Sequence, residues 1–535
     1  MIVESVPGEE RNSMYSHVIS GTTFGIQGML IQVEADVSDG LPGFHLVGCL
    51  SNEIRESSER IRTAMRNSGC YLPPKRIVVN LSPADVRKAG SGFDLPIAIA
   101  TLISMEMIPQ ERVEGMVMIG ELGLNGSILP VNGVLSIADC VAKAGYQYLI
   151  VAKENQMEAA MVETLRILPV ESLRELIDLL NSDAIPSEKV YRSSDESDIC
   201  YDGKADELAD WDFGDLKGQP LVRRAMEIAA SGMHNILMSG PPGSGKSLAA
   251  KCLTGILPNL TREERMELTK IYSVKGLLSK QGSMLQHRPF RAPHHTISTS
   301  ALVGGGVIPK PGEISLAHNG ILFLDELPEF SRNAIEVLRQ PLEDGKVLIG
   351  RMNQTFEFPA NVMLVGAMNP CPCGCYPDRS RCNCSVTQIQ NYQGKISRAI
   401  LDRMDIHLSV LPISYEEMVS KENWENSAAI RERVERTHAI QRKRYREQGI
   451  LFNSQLSQDG IKRYCGLDET GESFMQEIYE RHQLSGRAYF RILKLARTIA
   501  DMEEATSIQL PHLQEAVAYR LFEHMEQRGG EMYGR

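Results

Sequence analysis

Apolar positions recur along the chain in two rhythms. Between residues 14 and 182, short runs such as GMLIQVEADV, RIVVNLSP and YLIVA read as strands, while SNEIRESSERIRTAMRNSG repeats its apolar positions at helical spacing. A mixed α/β domain is expected there. Residues 183–215 are polar, acidic and without apolar periodicity, and read as an acidic linker. From 216 to 415, apolar strands lead into Gly-rich turns and helices, the order of an open parallel α/β sheet. From 416 to 535 the rhythm is helical, as in SAAIRERVERTHAIQRKRYREQG and GRAYFRILKLARTIADMEE, and a helical C-terminal domain is expected.

Composition changes this picture little. The 535 residues are 42% hydrophobic and 23% charged, ordinary for a folded soluble protein. The first residues lack the basic and apolar regions of a signal peptide. The most apolar run, LPIAIATLISMEMIP, is too short to span a bilayer and carries Glu106, so no membrane segment is expected. Eleven cysteines without a secretion signal point to reduced thiols in the cytoplasm. The net charge of −11 repels nucleic acid globally, so any DNA binding would have to come from a local basic surface.

One stretch carries clear chemistry. In NILMSGPPGSGKS an apolar strand enters Gly240, Pro241, Pro242, Gly243, Ser244, Gly245, Lys246 and Ser247, followed by helix-forming residues. Glycines let backbone N–H groups turn inward around a phosphate. Lys246 is placed to reach the β- and γ-phosphates of ATP, and Ser247 to ligate Mg²⁺. Some 80 residues later (by the numbering), GILFLDELPEF ends an apolar strand in Asp325, a second Mg²⁺ partner, and Glu326, which polarises the attacking water. VMLVGAMNP ends a further strand in Asn369, placed to bond the water or γ-phosphate; a turn-capping Asn is the ordinary alternative. In ILDRMDIHL, Arg403 is a candidate to stabilise transition-state charge in a neighbouring subunit, against an ordinary ion pair with Asp402 or Asp405.

GPPGSGKS, RPFRAPHHTIS, GGGVIPKPGEISLAHNGILFLDELPEF, AMNPCPCG and LSGRAYFRILKLARTIAD together resemble the magnesium-chelatase-like AAA+ ATPases of the ComM/YifB family, from about Tyr15 to Leu521. The resemblance implies an AAA+ P-loop core of the helix-2-insert branch, which also holds the chelatase motor and the replicative helicase MCM. It further implies a homo-hexamer, DNA branch migration during natural transformation, Arg403 as arginine finger and Arg487 as sensor-2 arginine. Relatives commonly read Ser-Gly-Pro-Leu-Leu-Asp-Arg where this chain has SRAILDR, which makes Arg398 a competitor for the finger. Metal insertion into a porphyrin and protein remodelling are the rival functions. The chain has no integrin-like metal-binding module, and SVKGLLSK is a poor match to an aromatic pore loop.

RKAGSGFDLPIAIATL and GELGLNGSILPVNGVLSIADCVAKAGYQYLIVAKEN resemble the proteolytic domain of Lon, a ribosomal S5 domain 2-like fold. The Ser-Lys dyad of that family falls on Gly92 and Leu135, so proteolysis is not expected. Ser91 and Lys88 lie close by, but proximity in sequence does not build a nucleophile–base pair.

Two further groups stand out. Cys371, Cys373, Cys382 and Cys384 form two C-x-C pairs, with Cys375 beside them. They can wrap a structural Zn²⁺, remain reduced thiols, or switch redox state; nothing there supplies the open position of a catalytic zinc. Arg288 and Arg291 in QHRPFRAPHH, and Arg351 near the tip of a hairpin in KVLIGRMNQTFEF, are candidate DNA contacts, against a tight structural loop near the nucleotide for the first segment and a solvated hairpin for the second. His294 and His295, being adjacent, are expected to point in different directions.

Overall fold

The computed structural model describes residues 15–192, 211–278, 283–351, 354–419 and 424–520. The chain divides into two compact units, Met1–Asp202 with Thr269–Leu285, and Gly203–Leu268 with Gln286–Arg535.

The first unit is built on a seven-stranded mixed sheet: β1 (Tyr15–Phe24), β2 (Gln27–Ser38), β3 (Gly43–Val47), β4 (Arg76–Ser82), β5 (Met116–Met118), β6 (Tyr148–Ala152) and β7 (Arg166–Val170). Their order is β3-β4-β2-β1-β5-β6-β7. β1 and β2 form an antiparallel hairpin from Tyr15↔Asp36 to Phe24↔Gln27. Helix α1 (Asn52–Asn67) buries Ile54, Ile61, Ala64 and Met65, a stripe at helical spacing. The apolar run of the sequence is α2 (Asp94–Ser104), a helix buried along its entire length. Its first residue, Asp94, is held by Arg60 through two bonds of 2.6 and 2.9 Å. Among the described residues, no helix is long and apolar enough to cross a membrane.

Segment 269–285 belongs to this unit although it lies between two strands of the other sheet in sequence. Lys270 Nζ pairs with Asp139 at 2.7 Å, and Ser273 Oγ donates to buried Glu158 at 2.5 Å. Glu158 also accepts from the amide of Leu135, at the start of α3 (Val134–Lys143), at 3.0 Å.

The second unit contains β8 (Ile236–Ser239), β9 (Phe290–Arg291), β10 (Ile321–Leu324), β11 (Lys346–Arg351), β12 (Gln354–Pro359), β13 (Met363–Met368) and β14 (Ile406–Ser409). Five of them form a parallel sheet in the order β9-β10-β13-β8-β14. Every residue of β10 and β13 is buried, which explains their unbroken apolar sequences: a parallel strand has no solvent face. β11 and β12 pair separately as a hairpin that closes at Arg351↔Gln354. Helix α4 (Pro220–Gly232) and the short helix α5 (Lys246–Cys252) flank β8 in sequence, and α6 (Ser427–Tyr445), α7 (Glu469–His482) and α8 (Gly486–Met502) make up the helical C-terminal region. Its interior is partly polar. Asp501 is bonded by Arg444, Arg497 and Asn453, so this buried carboxylate has its partners.

Candidate active site

β8 ends at Ser239, the chain turns through Gly240–Gly245, and α5 begins at Lys246. Gly243 and Gly245 sit at φ +79° and +91°, where an L side chain is strained. Lys246 is 8% exposed. Its ammonium donates to Gly240 O at 2.6 Å, Pro241 O at 2.9 Å and Asn369 Oδ1 at 3.3 Å, all neutral oxygens. Burial pushes its pKa down, and the Asp325 charge works against that. Ser244 Oγ, in the same loop, is buried without a hydrogen-bond partner among the described residues. A buried cation bonded to neutral groups beside an orphaned hydroxyl fits a phosphate, which supplies both with an anionic acceptor.

Ser247 Oγ donates to Asp325 Oδ2 at 2.8 Å, so two oxygens suited to Mg²⁺ already adjoin. Glu326 follows at φ +51°, a left-handed conformation uncommon for a non-glycine residue and concentrated at functional sites. Its amide donates to Asp325 Oδ1 at 2.9 Å, and its exposed carboxylate lies 3.5 Å from His295 Nδ1. β13 separates β8 from β10, and Asn369 follows it directly, so the phosphate loop, the Asn and the acidic pair stand at the carboxyl ends of three adjoining strands. Ligand clefts of open α/β sheets lie at that edge. An open cleft beside them is lined by Glu326, Asn369, Pro372, Asn391, Tyr392 and Lys395.

The two arginines proposed for transition-state roles meet elsewhere in this unit. Arg403 is largely buried, donates to Ala399 O at 2.7 Å and pairs with Glu343. Arg487, 59% exposed, reaches the other oxygen of the same carboxylate at 3.4 Å. Among the described residues Arg487 has no hydrogen bond to the phosphate loop. The Asp402 and Asp405 alternatives for Arg403 give way to Glu343: Asp405 is taken by Arg491 at 2.5 Å, and Asp402 lies 3.8 Å from Arg520. Arg398 is exposed.

The candidate DNA contacts separate. Arg288 is buried: it pairs with Glu264 at 2.9 Å and donates to Pro258 O and Asn319 O at 2.7 Å each. Its guanidinium is consumed inside the fold and cannot reach a phosphate backbone, which corrects the sequence expectation. Arg291 is held bidentately by Glu313 at 2.7 and 2.9 Å, so it too presents an ion pair rather than an open charge. Arg351 is exposed at the end of the hairpin strand, with Nε 3.4 Å from Gly306 O. The two histidines do not diverge: their rings lie 4.1 Å apart, tilted by 34°. Cys371, Cys373, Cys382 and Cys384 come together, with sulfurs all within 4.8 Å.

In the first unit, Gly92 precedes α2 and Leu135 is buried in α3. Ser91 Oγ bonds Glu121 and Lys88 Nζ bonds Pro83 O, so each is engaged apart from the other.

Sequence reasoning missed Gln219, whose amide braces the phosphate loop by donating to Ser244 O at 2.8 Å and Leu411 O at 2.9 Å. No local pattern marks it. His295 lay within a quoted motif, but only the fold brings it to Glu326.

A competence protein ComM from Haemophilus influenzae is 39% identical over 520 residues, which cover 96% of this chain and 99% of that protein. The chain belongs to the ComM/YifB family of magnesium-chelatase-like proteins. A YifB protein of Escherichia coli is 37% identical over 517 residues, 95% of this chain and 98% of its own. Family models described as "Magnesium chelatase, subunit ChlI", "Subunit ChlI of Mg-chelatase" and "Magnesium chelatase, subunit ChlI C-terminal" match residues 212–418, 33–155 and 424–520. A Lon protease of Trichlorobacter lovleyi is 24% identical over 186 residues, 32% of this chain and 22% of the protease. Members of the ComM/YifB family have an AAA+ ATPase core, and the parallel sheet with its phosphate loop is that core here.

Proposed function

We propose that this chain is a Mg²⁺-dependent AAA+ ATPase that assembles as a homo-hexameric ring in the cytoplasm and moves DNA, by branch migration or strand displacement. The observation that carries the reading is the convergence of Lys246, Ser247, Asp325, Glu326 and Asn369 at the ends of three adjoining strands. Near-full-length similarity to a protein named for competence favours DNA as the substrate. Lys246 and the loop amides bind the phosphates of ATP, and Ser247 and Asp325 hold Mg²⁺. When bound, that ion neutralises charge on the phosphate oxygens. Glu326 orients the attacking water and takes its proton, while Asn369 fixes Lys246 and the γ-phosphate edge. Arg403 and Arg398 are the alternatives for an arginine finger acting on a neighbouring subunit, with Arg487 beside Arg403. The exposed Arg351 hairpin supplies positive charge for phosphate contacts that do not read bases. With Gly92 and Leu135 at the dyad positions, the Lon-like domain is not a protease.

The test is the ATPase rate with single-stranded DNA, a four-way junction, linear duplex, unfolded protein and a porphyrin added in parallel. Stimulation by DNA, greatest with branched forms, and ATP-dependent strand displacement are expected. If no DNA form stimulates hydrolysis and no strand is displaced, the DNA reading is wrong. The chelatase-named family models make porphyrin the arm to watch in that event.

A further inference from the structure

The four sulfurs are arranged for an ion. Cys371 and Cys373 lie 3.4 Å apart, Cys371 and Cys382 3.8 Å, and Cys373 and Cys382 3.6 Å. A disulfide would bring two sulfurs to about 2.05 Å, so none is formed. Four thiolates about 2.3 Å from a central ion stand at corners roughly 3.8 Å apart, close to the separations found. The amide of Tyr376 points at Cys371 Sγ (3.4 Å), the kind of outer bond that stabilises thiolate charge on a metal. Cys375 lies outside the set, its sulfur 3.6 Å from Cys373 O. Its own buried apolar cluster is small, consisting of Cys371, Cys382 and Ile389.

The segment is also joined to the nucleotide site. It begins two residues after Asn369, whose side chain bonds Lys246. Pro372 lines the cleft with Glu326. Gly374, at φ +79°, turns the first C-x-C pair so closely over the phosphate loop that a Cβ there would lie 2.5 Å from Pro242 Cδ. On the far side of the segment, Gln393 Nε2 donates to Pro370 O at 3.1 Å.

We infer that Cys371, Cys373, Cys382 and Cys384 bind one Zn²⁺ as thiolates, and that this ion sets the position of Asn369 and Pro242 and so of the ATP site. Each thiol releases its proton to solvent as the ion binds, and four protein ligands leave no position open for catalysis. Zinc rather than magnesium follows from four soft sulfur donors within 4.8 Å of one another. The coupling rests on the reading of Lys246 and Asn369 as parts of an ATP site; the metal site does not.

The experiment uses the full chain purified without chelators, with metal content measured by mass spectrometry alongside binding of a fluorescent ATP analogue and ATP turnover. Wild type should carry about one zinc per chain, and Cys382→Ser with Cys384→Ser should lose it together with at least tenfold of the turnover. Gly374→Ala keeps every thiol and presses on Pro242, so it should retain zinc and still lose several-fold in nucleotide affinity or turnover. That variant separates coupling from general unfolding. Wild type with no zinc, or with iron in its place, overturns the metal assignment. Zinc lost with turnover unchanged, or Gly374→Ala indistinguishable from wild type, overturns the coupling. If wild type binds zinc but not ATP, the nucleotide reading fails while the metal site stands.

Discussion

Replacing Arg288 by Ala tests whether the basic cluster of the sequence is structural, as its burial demands. The side chain is 3% exposed and its partner Glu264 4%. Besides two contacts to that carboxylate, at 2.9 and 3.2 Å, the guanidinium satisfies Pro258 O and Asn319 O. Removing it leaves a buried carboxylate without its counter-charge and two carbonyls without a donor. Breaking one side of such a pair costs about 3–5 kcal/mol. For a large domain, in which 1 kcal/mol moves Tm by about 2 °C, the transition should fall by roughly 6–10 °C. Differential scanning fluorimetry reads this directly. Arg288→Met with Glu264→Leu removes both charges and should recover much of the loss. Arg351→Ala is the contrast: Tm should stay within about 1 °C, because surface substitutions rarely matter, while DNA affinity and its salt dependence both decline. If Arg288→Ala keeps its Tm and loses DNA binding, the guanidinium faces nucleic acid and the burial argument fails.

Other outcomes follow from the same structure. Lys246→Ala should abolish tight ATP binding, whereas Glu326→Gln should bind ATP and hydrolyse it about 10²–10⁴-fold more slowly, measured by phosphate release. His438 is buried against Phe452, with ring centroids 4.6 Å apart, and burial with the nearby charges of Arg288 and Arg442 pushes its pKa down to about 3. Because the folded value lies below the unfolded one, its contribution to stability is complete above about pH 6.5 and declines as pH falls toward 3, by up to about 1.4 kcal/mol per pH unit. His438→Phe should flatten that limb in denaturant titrations at pH 4–7, and an unchanged limb would assign the acid sensitivity to other groups.

What was legible in the sequence was what local chemistry forces. Gly243, Gly245 and Lys246 announce a phosphate loop because the backbone turn and the cation must be contiguous in the chain. Asp325 and Glu326 are readable because a fully buried strand ends immediately before them. The four cysteines were readable as a group for the same reason of proximity. The sequence could not decide between a DNA contact and a structural role for Arg288, because the residue that consumes it, Glu264, is 24 positions away and the two carbonyls are further partners no pattern reveals. The membership of 269–285 in the first unit depends likewise on Asp139 and Glu158, distant in sequence. Charge spacing in a sequence describes what a surface could do, and only tertiary structure says which charges remain on it.

Glu343 shows how far such a distant contact can matter. It lies in the helical turn Arg339–Asp344, and after Gly345 the chain enters β11, the strand that ends at Arg351. The carboxylate that holds Arg403 and Arg487 is therefore eight positions from the hairpin end, joined to it through Gly345 and the strand. On the proposed finger reading, Arg403 would have to leave Glu343 to act on a neighbouring subunit's nucleotide, and DNA on the hairpin is expected to act through Glu343. Glu343→Gln weakens both pairs while keeping the shape. Glu343 is 49% exposed but Arg403 only 8%, so losing the charge while keeping an amide acceptor should cost about 1–2 kcal/mol and lower Tm by a few degrees without unfolding the protein. ATP binding should also persist, since Lys246 is untouched. Hydrolysis without DNA should rise toward the DNA-stimulated rate, because Arg403 is released without hairpin movement. Adding Arg403→Ala should cancel that rise. A Glu343→Gln protein with wild-type basal rate and wild-type DNA stimulation would reduce the cluster to a surface ion pair.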